Sequence, residues 1–155
     1  MDTFLLMVHG ILAVFLLGAL THQAFAVWWK PAGGDQNFFA NYRAVRAERY
    51  VNTVIILYVL TYLVGGFLLY PEYRYIVRPV LEQLRRNSIV GSFELKEHFM
   101  TVGVALLPVY WYLWKQPPAF GAATARKLVT LILALLVWYG FIVGHLVNNT
   151  RGFGL

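Results

Sequence analysis

The chain contains no cysteine. That excludes disulfides, c-type haem attachment through C-x-x-C-H, cysteine-ligated iron–sulfur clusters and thiolate zinc sites. It leaves imidazole, carboxylate and thioether as the metal ligands on offer. Charge is scarce as well: only 13% of the 155 residues are Asp, Glu, Lys or Arg, against the ~25% usual in soluble domains. The balance is basic, +6, but the basic residues form no dense stripe on a soluble surface, which argues against nucleic acid as a partner. Low-complexity tracts and internal repeats are not seen either.

What the sequence has in plenty is apolar residues, 59% of the chain, gathered into blocks. Thr3–Trp29, Val51–Tyr70, His98–Trp114 and Leu128–Val147 each carry almost no charge. A bilayer core of ~30 Å takes ~20 helical residues. Three blocks reach that length, and the third reaches it if its helix begins near Ser92, a candidate N-cap. The first block reads as a span rather than a signal peptide, because its leading residues include Asp2 and no Lys or Arg. The expected fold is all-α: a single domain over residues 1–155, an integral membrane four-helix bundle in a lipid bilayer, multi-pass and set in a bacterial inner membrane.

The connectors carry their own signals. Between spans two and three, over Glu72–Gly91, the residues Tyr73, Ile76, Val77, Val80, Leu81 and Leu84 approximate an apolar stripe opposed by Arg74, Arg78, Arg85 and Arg86. That pattern predicts an interfacial amphipathic segment. Arg43, Arg46 and Arg49 recur every three residues before span two, a pattern suited to headgroup contact, or to an anionic ligand. Gly65-Gly66 permits close helix contact, and Pro108 is expected to kink span three. Seven basic residues fall on one side of the expected bundle and six on the other, so the basic-residue rule leaves the orientation open.

Simple alternation of the spans puts His9, His98 and His145 on one side of the membrane, each just inside an apolar run. A polar ring at that depth is costly unless satisfied, which makes it the first functional candidate. Any two of the three could ligate haem iron axially, with Gly10, Ala13, Gly103, Ala105 and Gly144 leaving room for a flat macrocycle. Arg74, Arg78 and Lys96 lie on the same side and could pair with propionates. Alternatively, Glu94 with His98 four residues on, together with His9 and His145, would suit a copper or iron ion. His22 lies ~20 Å along span one from His9 and about 140° around it. One chain therefore supports at most one bis-histidine haem, and His22 reads as structural unless an oligomer completes a site there.

A histidine early in span one (Met7-Val8-His9-Gly10), a basic run before span two (Arg46-Ala47-Glu48-Arg49-Tyr50), a histidine opening span three (Lys96-Glu97-His98) and a short final span occur in that order. The order resembles the four-helix membrane proteins of the HemJ-type protoporphyrinogen oxidase and CopD-like copper-resistance group. The resemblance covers most of the chain through short motifs, and implies a haem- or metal-binding membrane unit. In the HemJ type the first-span histidine is a haem ligand, which falls on His9. A lysine in the third span is essential there, and Lys96 stands nearest to its place.

The resulting expectation is a membrane protein holding one haem b through His9 with His98 or His145, serving electron transfer or an oxidoreductase reaction at one face, with a redox partner or a larger membrane complex. The rival readings are a copper- or iron-binding membrane protein and a non-catalytic accessory subunit. Glu94 and Glu97 are the only carboxylates placed for general acid–base work near the histidines.

Overall fold

The computed structural model describes residues 3–28, 46–117 and 121–151, Arg151 by its backbone alone. These residues form four long helices and, among the described residues, no strand: α1 (Thr3–Trp28), α2 (Ala47–Gln83), α3 (Asn87–Lys115) and α4 (Ala122–Arg151). α1 packs on α2 and α4, and α3 packs on α2 and α4, so consecutive helices are neighbours around a ring. The all-α, four-helix expectation holds. Arg43 and the segment Gly33-Gly34-Asp35 lie outside the described residues.

Three of the helices, Thr3–Trp28, Ala47–Gln83 and Ala122–Thr150, are long and apolar enough to cross a membrane. α3 is not in that set; its first half carries Glu94, Lys96 and Glu97. Large apolar side chains are exposed on every helix, among them Phe4, Phe15, Phe67, Tyr112 and Leu135.

α2 departs most from the sequence reading. No break occurs at Pro71, and no separate interfacial segment follows it; the helix runs on to Gln83. The reason lies in two wide π turns, Val64–Leu69 and Tyr73–Val77. Each ends two residues before a proline: the N–H of Tyr70 reaches back to the Gly65 carbonyl ahead of Pro71, and that of Arg78 to Tyr73 ahead of Pro79. A proline inside an α-helix removes one donor and collides with the carbonyl four residues back. A widened turn, in which bonds span five residues, moves that carbonyl out of the way. The stripe then serves packing: Tyr73, Val77 and Leu81 are buried against Val90, Phe93, Val143 and Val147, while Ile76, Val80 and Leu84 stay exposed.

α2 ends in a Schellman-type stop. The Arg85 N–H bonds the Glu82 carbonyl at 2.9 Å, the Arg86 N–H bonds Leu81 at 2.8 Å, and Arg85 takes a left-handed φ of 55°. α3 then begins at Asn87, five residues before the N-cap that the sequence suggested. Ser92 lies inside the helix, and its hydroxyl donates to the Ser88 carbonyl at 2.8 Å.

A second apolar core gathers Leu16, Leu20, Val54, Tyr58, Leu107, Tyr110, Leu133 and Val137. Its polar insertions are satisfied. The Gln23 amide donates to the Ala47 carbonyl at 2.9 Å and accepts from the Tyr110 hydroxyl. Trp114 donates to Thr130 and Trp138 to Thr21, each at 3.0 Å. Gly103 sits against the Tyr58 ring, where any side chain would overlap the hydroxyl.

Candidate cofactor cavity

Between the two apolar cores lies a cavity of about 320 Å³ walled by all four helices. That is the lower end of the ~300–1,000 Å³ typical of small-molecule sites. Its polar lining comprises His9 from α1, Tyr58, Thr61 and Tyr62 from α2, Lys96 and Glu97 from α3, and His145 and Asn148 from α4. The rest is mostly apolar, with five glycines: Gly10, Gly65, Gly66, Gly140 and Gly144.

The glycines fall into two kinds. A Cβ at Gly65 would come within 2.8 Å of His9 Cε1, and one at Gly140 within 3.0 Å of the Met100 methyl. These two are glycines because a neighbour occupies the space. Gly10, Gly66 and Gly144 would meet nothing within 4 Å. Glycine in a helix interior costs about 1 kcal/mol relative to alanine, and protein packing does not require it at these three places. At these three places the cavity wall carries no side chain.

His9 is the best-placed ligand. Its ring lines the cavity, lies edge-on to Gly65, and has a buried Nδ1 with no hydrogen-bond partner. A buried polar atom without a partner costs roughly 1–3 kcal/mol. His145 lines the same cavity, its ring stacked on Phe141 at 5.2 Å. The Lys96 side chain is only 12% exposed. Its ammonium lies 3.4 Å from a Glu97 oxygen and 4.4 Å from the centre of the Phe93 ring. Tyr73 stacks on Phe93 at 3.5 Å and backs that contact. One carboxylate leaves part of the three-donor ammonium available to a further acceptor.

The other candidates lie elsewhere. His98 is exposed and outside the lining; its Nδ1–H donates to the Glu94 carbonyl at 2.7 Å. The Glu94 carboxylate takes Arg78 at 2.7 Å, and Arg78 also holds Glu82 at 2.8 Å, so this cluster ties α2 to α3. Arg74 is exposed and not part of the cavity wall. His22 is buried at the other end of α1, edge-on to Tyr50 at 5.8 Å. Among the described residues no three His, Asp or Glu side chains gather as a metal-binding group. Of the proposed ligands, then, the fold brings His9, His145 and Lys96 together and leaves His98, Glu94, Arg74 and Arg78 outside.

Sequence reasoning did not place Tyr58, Tyr62, Glu97 and Asn148 in the lining. Tyr62 and Tyr58 lie three and seven residues before Gly65, about one and two turns back on α2, and Asn148 lies three residues past His145, nearly one turn on. Helical spacing from the histidines and glycines was the available signal for both groups.

Comparison with protein-family models, with curated proteins and with solved structures finds no match to this chain.

Proposed function

We propose that this chain is an integral membrane protein whose four helices cross the bilayer. In this reading it binds one b-type haem in the four-helix cavity, with His9 and His145 as the iron ligands, and passes electrons at that face of the membrane. The observation that carries the reading is that imidazoles from two helices, His9 and His145, line one cavity whose wall holds three glycines with nothing opposite them. The residues fit the group. The two imidazoles would hold the iron, the glycines would leave room for a flat ring, and Lys96 would offer an ammonium to an acidic group.

When bound, haem supplies a one-electron couple whose potential depends on its axial ligands and the polarity around it. The protein's part is positional. Gly65 sets the plane of the His9 ring by abutting it. Glu97 and Phe93 hold Lys96 at the cavity wall, and the apolar lining keeps the dielectric low. The sequence resemblance to the HemJ-type group is in accord with His9 as a ligand.

The test is a reduced-minus-oxidised spectrum of the protein purified in detergent and supplied with haem. A b-type α-band is expected, lost in His9→Ala and in His145→Ala, and kept in His98→Ala and His22→Ala. Loss of the band in His22→Ala alone would place the site at the wrong end of α1. Absence of the band with stoichiometric copper or iron would favour the bare-metal rival, and absence of both would favour an accessory subunit.

A further inference from the structure

The seam between α1 and α4 is clasped at one end and open at the other. Trp28 Nε1 donates to the Lys127 carbonyl at 3.3 Å, and Trp138 Nε1 donates to Thr21 Oγ1 at 3.0 Å. The two bonds show that the helices run antiparallel, since the α4 partner advances as the α1 partner recedes. Thr21, Val14 and Met7 are seven residues apart, two turns each, and so share one stripe of α1. On α4 the corresponding stripe is Trp138, Phe141 and His145. Beyond the Thr21–Trp138 bond the stripe reaches the cavity, because Val14 and Met7 line it from α1 and Phe141 and His145 from α4.

Met7 is 60% exposed and Val14 54% exposed. Residues that line a cavity while facing outward mark its mouth: Met7 and Val14 make the rim apolar on α1, and the exposed His145 forms it on α4. Just inside, Gly10 on α1 and Gly144 on α4 present no side chain, and a Cβ on either would meet nothing within 4 Å. An apolar rim on the flank of a membrane helix faces lipid tails, not water. The glycines keep the opening clear of side chains, and Lys96 reaches the cavity wall from α3, its Cγ 3.9 Å from where a Cβ on Gly140 would sit.

We propose that the cavity opens sideways into the hydrocarbon phase through a window between α1 and α4. Its ligand, a flat and largely apolar ring with an anionic edge, enters there from the bilayer. This rests on the membrane placement proposed above but not on the identity of the ligand as haem. The ring slides between Gly10 and Gly144, and its acidic edge meets Lys96, which would otherwise hold a charge in a low-dielectric wall with Glu97 as its only anionic neighbour in the lining.

Two measurements on the full chain in lipid nanodiscs test it. In the first, haemin is the probe. Gly144→Leu and Gly10→Leu should slow its uptake by about tenfold or more, while Gly18→Leu, at an exposed position of α1 outside the cavity lining, should not. Circular dichroism confirms that each variant is folded. Uptake by Gly144→Leu and Gly10→Leu at the unmodified rate would overturn the window. The second uses the absence of native cysteine: a nitroxide on Gly144→Cys reports collisions with oxygen, which partitions into hydrocarbon, and with a water-soluble nickel chelate. Oxygen should dominate, and dominance of the nickel chelate would overturn the lateral opening. If the unmodified chain takes up no haemin, the haem reading fails and the nitroxide measurement decides the window by itself.

Discussion

Two glycines facing two different side chains offer a direct test of which parts of this bundle are scaffold and which are site. At Gly103 an added methyl would overlap the Tyr58 hydroxyl and stand 2.5 Å from Cζ. Tyr58 borders the same cavity as His9 but is fully buried among Val54, Leu16 and Leu107, and the overlap with its hydroxyl is deeper than a small shift of the ring relieves. Its hydroxyl would also give up the 3.4 Å bond to the Met100 carbonyl. Overpacking of this kind costs roughly 1–3 kcal/mol, the hydrogen bond about 1 kcal/mol, and better helix propensity returns about 1 kcal/mol. Gly103→Ala should therefore destabilise the protein by about 1–3 kcal/mol. At Gly65 the same methyl meets His9 Cε1 at 2.8 Å, but that ring borders the cavity and has room to give way. Propensity and the displaced ring then nearly cancel, so Gly65→Ala should change stability by less than about 1 kcal/mol while weakening haemin binding through the shifted imidazole. Unfolding in mixed micelles by increasing SDS, read by circular dichroism, measures the first effect, and a haemin titration measures the second. Equal destabilisation by the two substitutions would refute the argument, since it would mean that His9 is locked in packing like Tyr58 and is not poised at an open site.

Four further outcomes are expected. Arg85→Gly should stabilise the fold by about 1 kcal/mol, because the left-handed conformation at the end of α2 penalises any residue with a Cβ; an SDS-unfolding midpoint no higher than that of the unmodified chain would contradict the turn. Tyr110→Phe should cost roughly 1–3 kcal/mol by stripping the buried Gln23 carbonyl oxygen of its donor, and the double variant with Gln23→Leu should be less destabilised than the two single changes sum to. Arg78→Ala should lower the thermal midpoint slightly at low salt, with the difference shrinking at 1 M salt as its half-exposed pairs with Glu82 and Glu94 are screened, and haemin uptake should be unaffected; loss of uptake would put Arg78 back at the site. Lys96→Met should leave the fold intact and weaken haemin more than a porphyrin lacking carboxylates, and an equal effect on both probes would remove the anionic-edge contact.

The sequence made the helices legible because apolar blocks without charge have few alternatives, and two of the three histidines it grouped, His9 and His145, line one cavity. It could not show which way each ring turns. His98 and Lys96 are two residues apart on α3, yet one faces outward and the other lines the cavity, a difference of about 200° around the helix. Which of them meets His9 depends on the rotation of α3, and that is set by Phe93, Gly103 and Leu107 packing on α2 and the rest of the core. The run of α2 beyond Tyr70 was hidden for another reason. Pro71 and Pro79 are stop signals in an α-helix, and only a widened turn ahead of each removes the conflict. The helix's real end carries no glycine; it is Arg85 that adopts the left-handed stop. Gly65-Gly66 was read correctly as a place of close approach, but only Gly65 touches a neighbour. Its partner has nothing opposite it, and that empty space cannot be read from a pair of identical letters. Glycines that packing requires are told from glycines that it does not by what a Cβ there would meet. Gly65, Gly103 and Gly140 would meet a neighbour; Gly10, Gly66 and Gly144 would meet none and line the cavity that holds His9, while Gly18, Gly91 and Gly121 would also meet none and lie outside that lining.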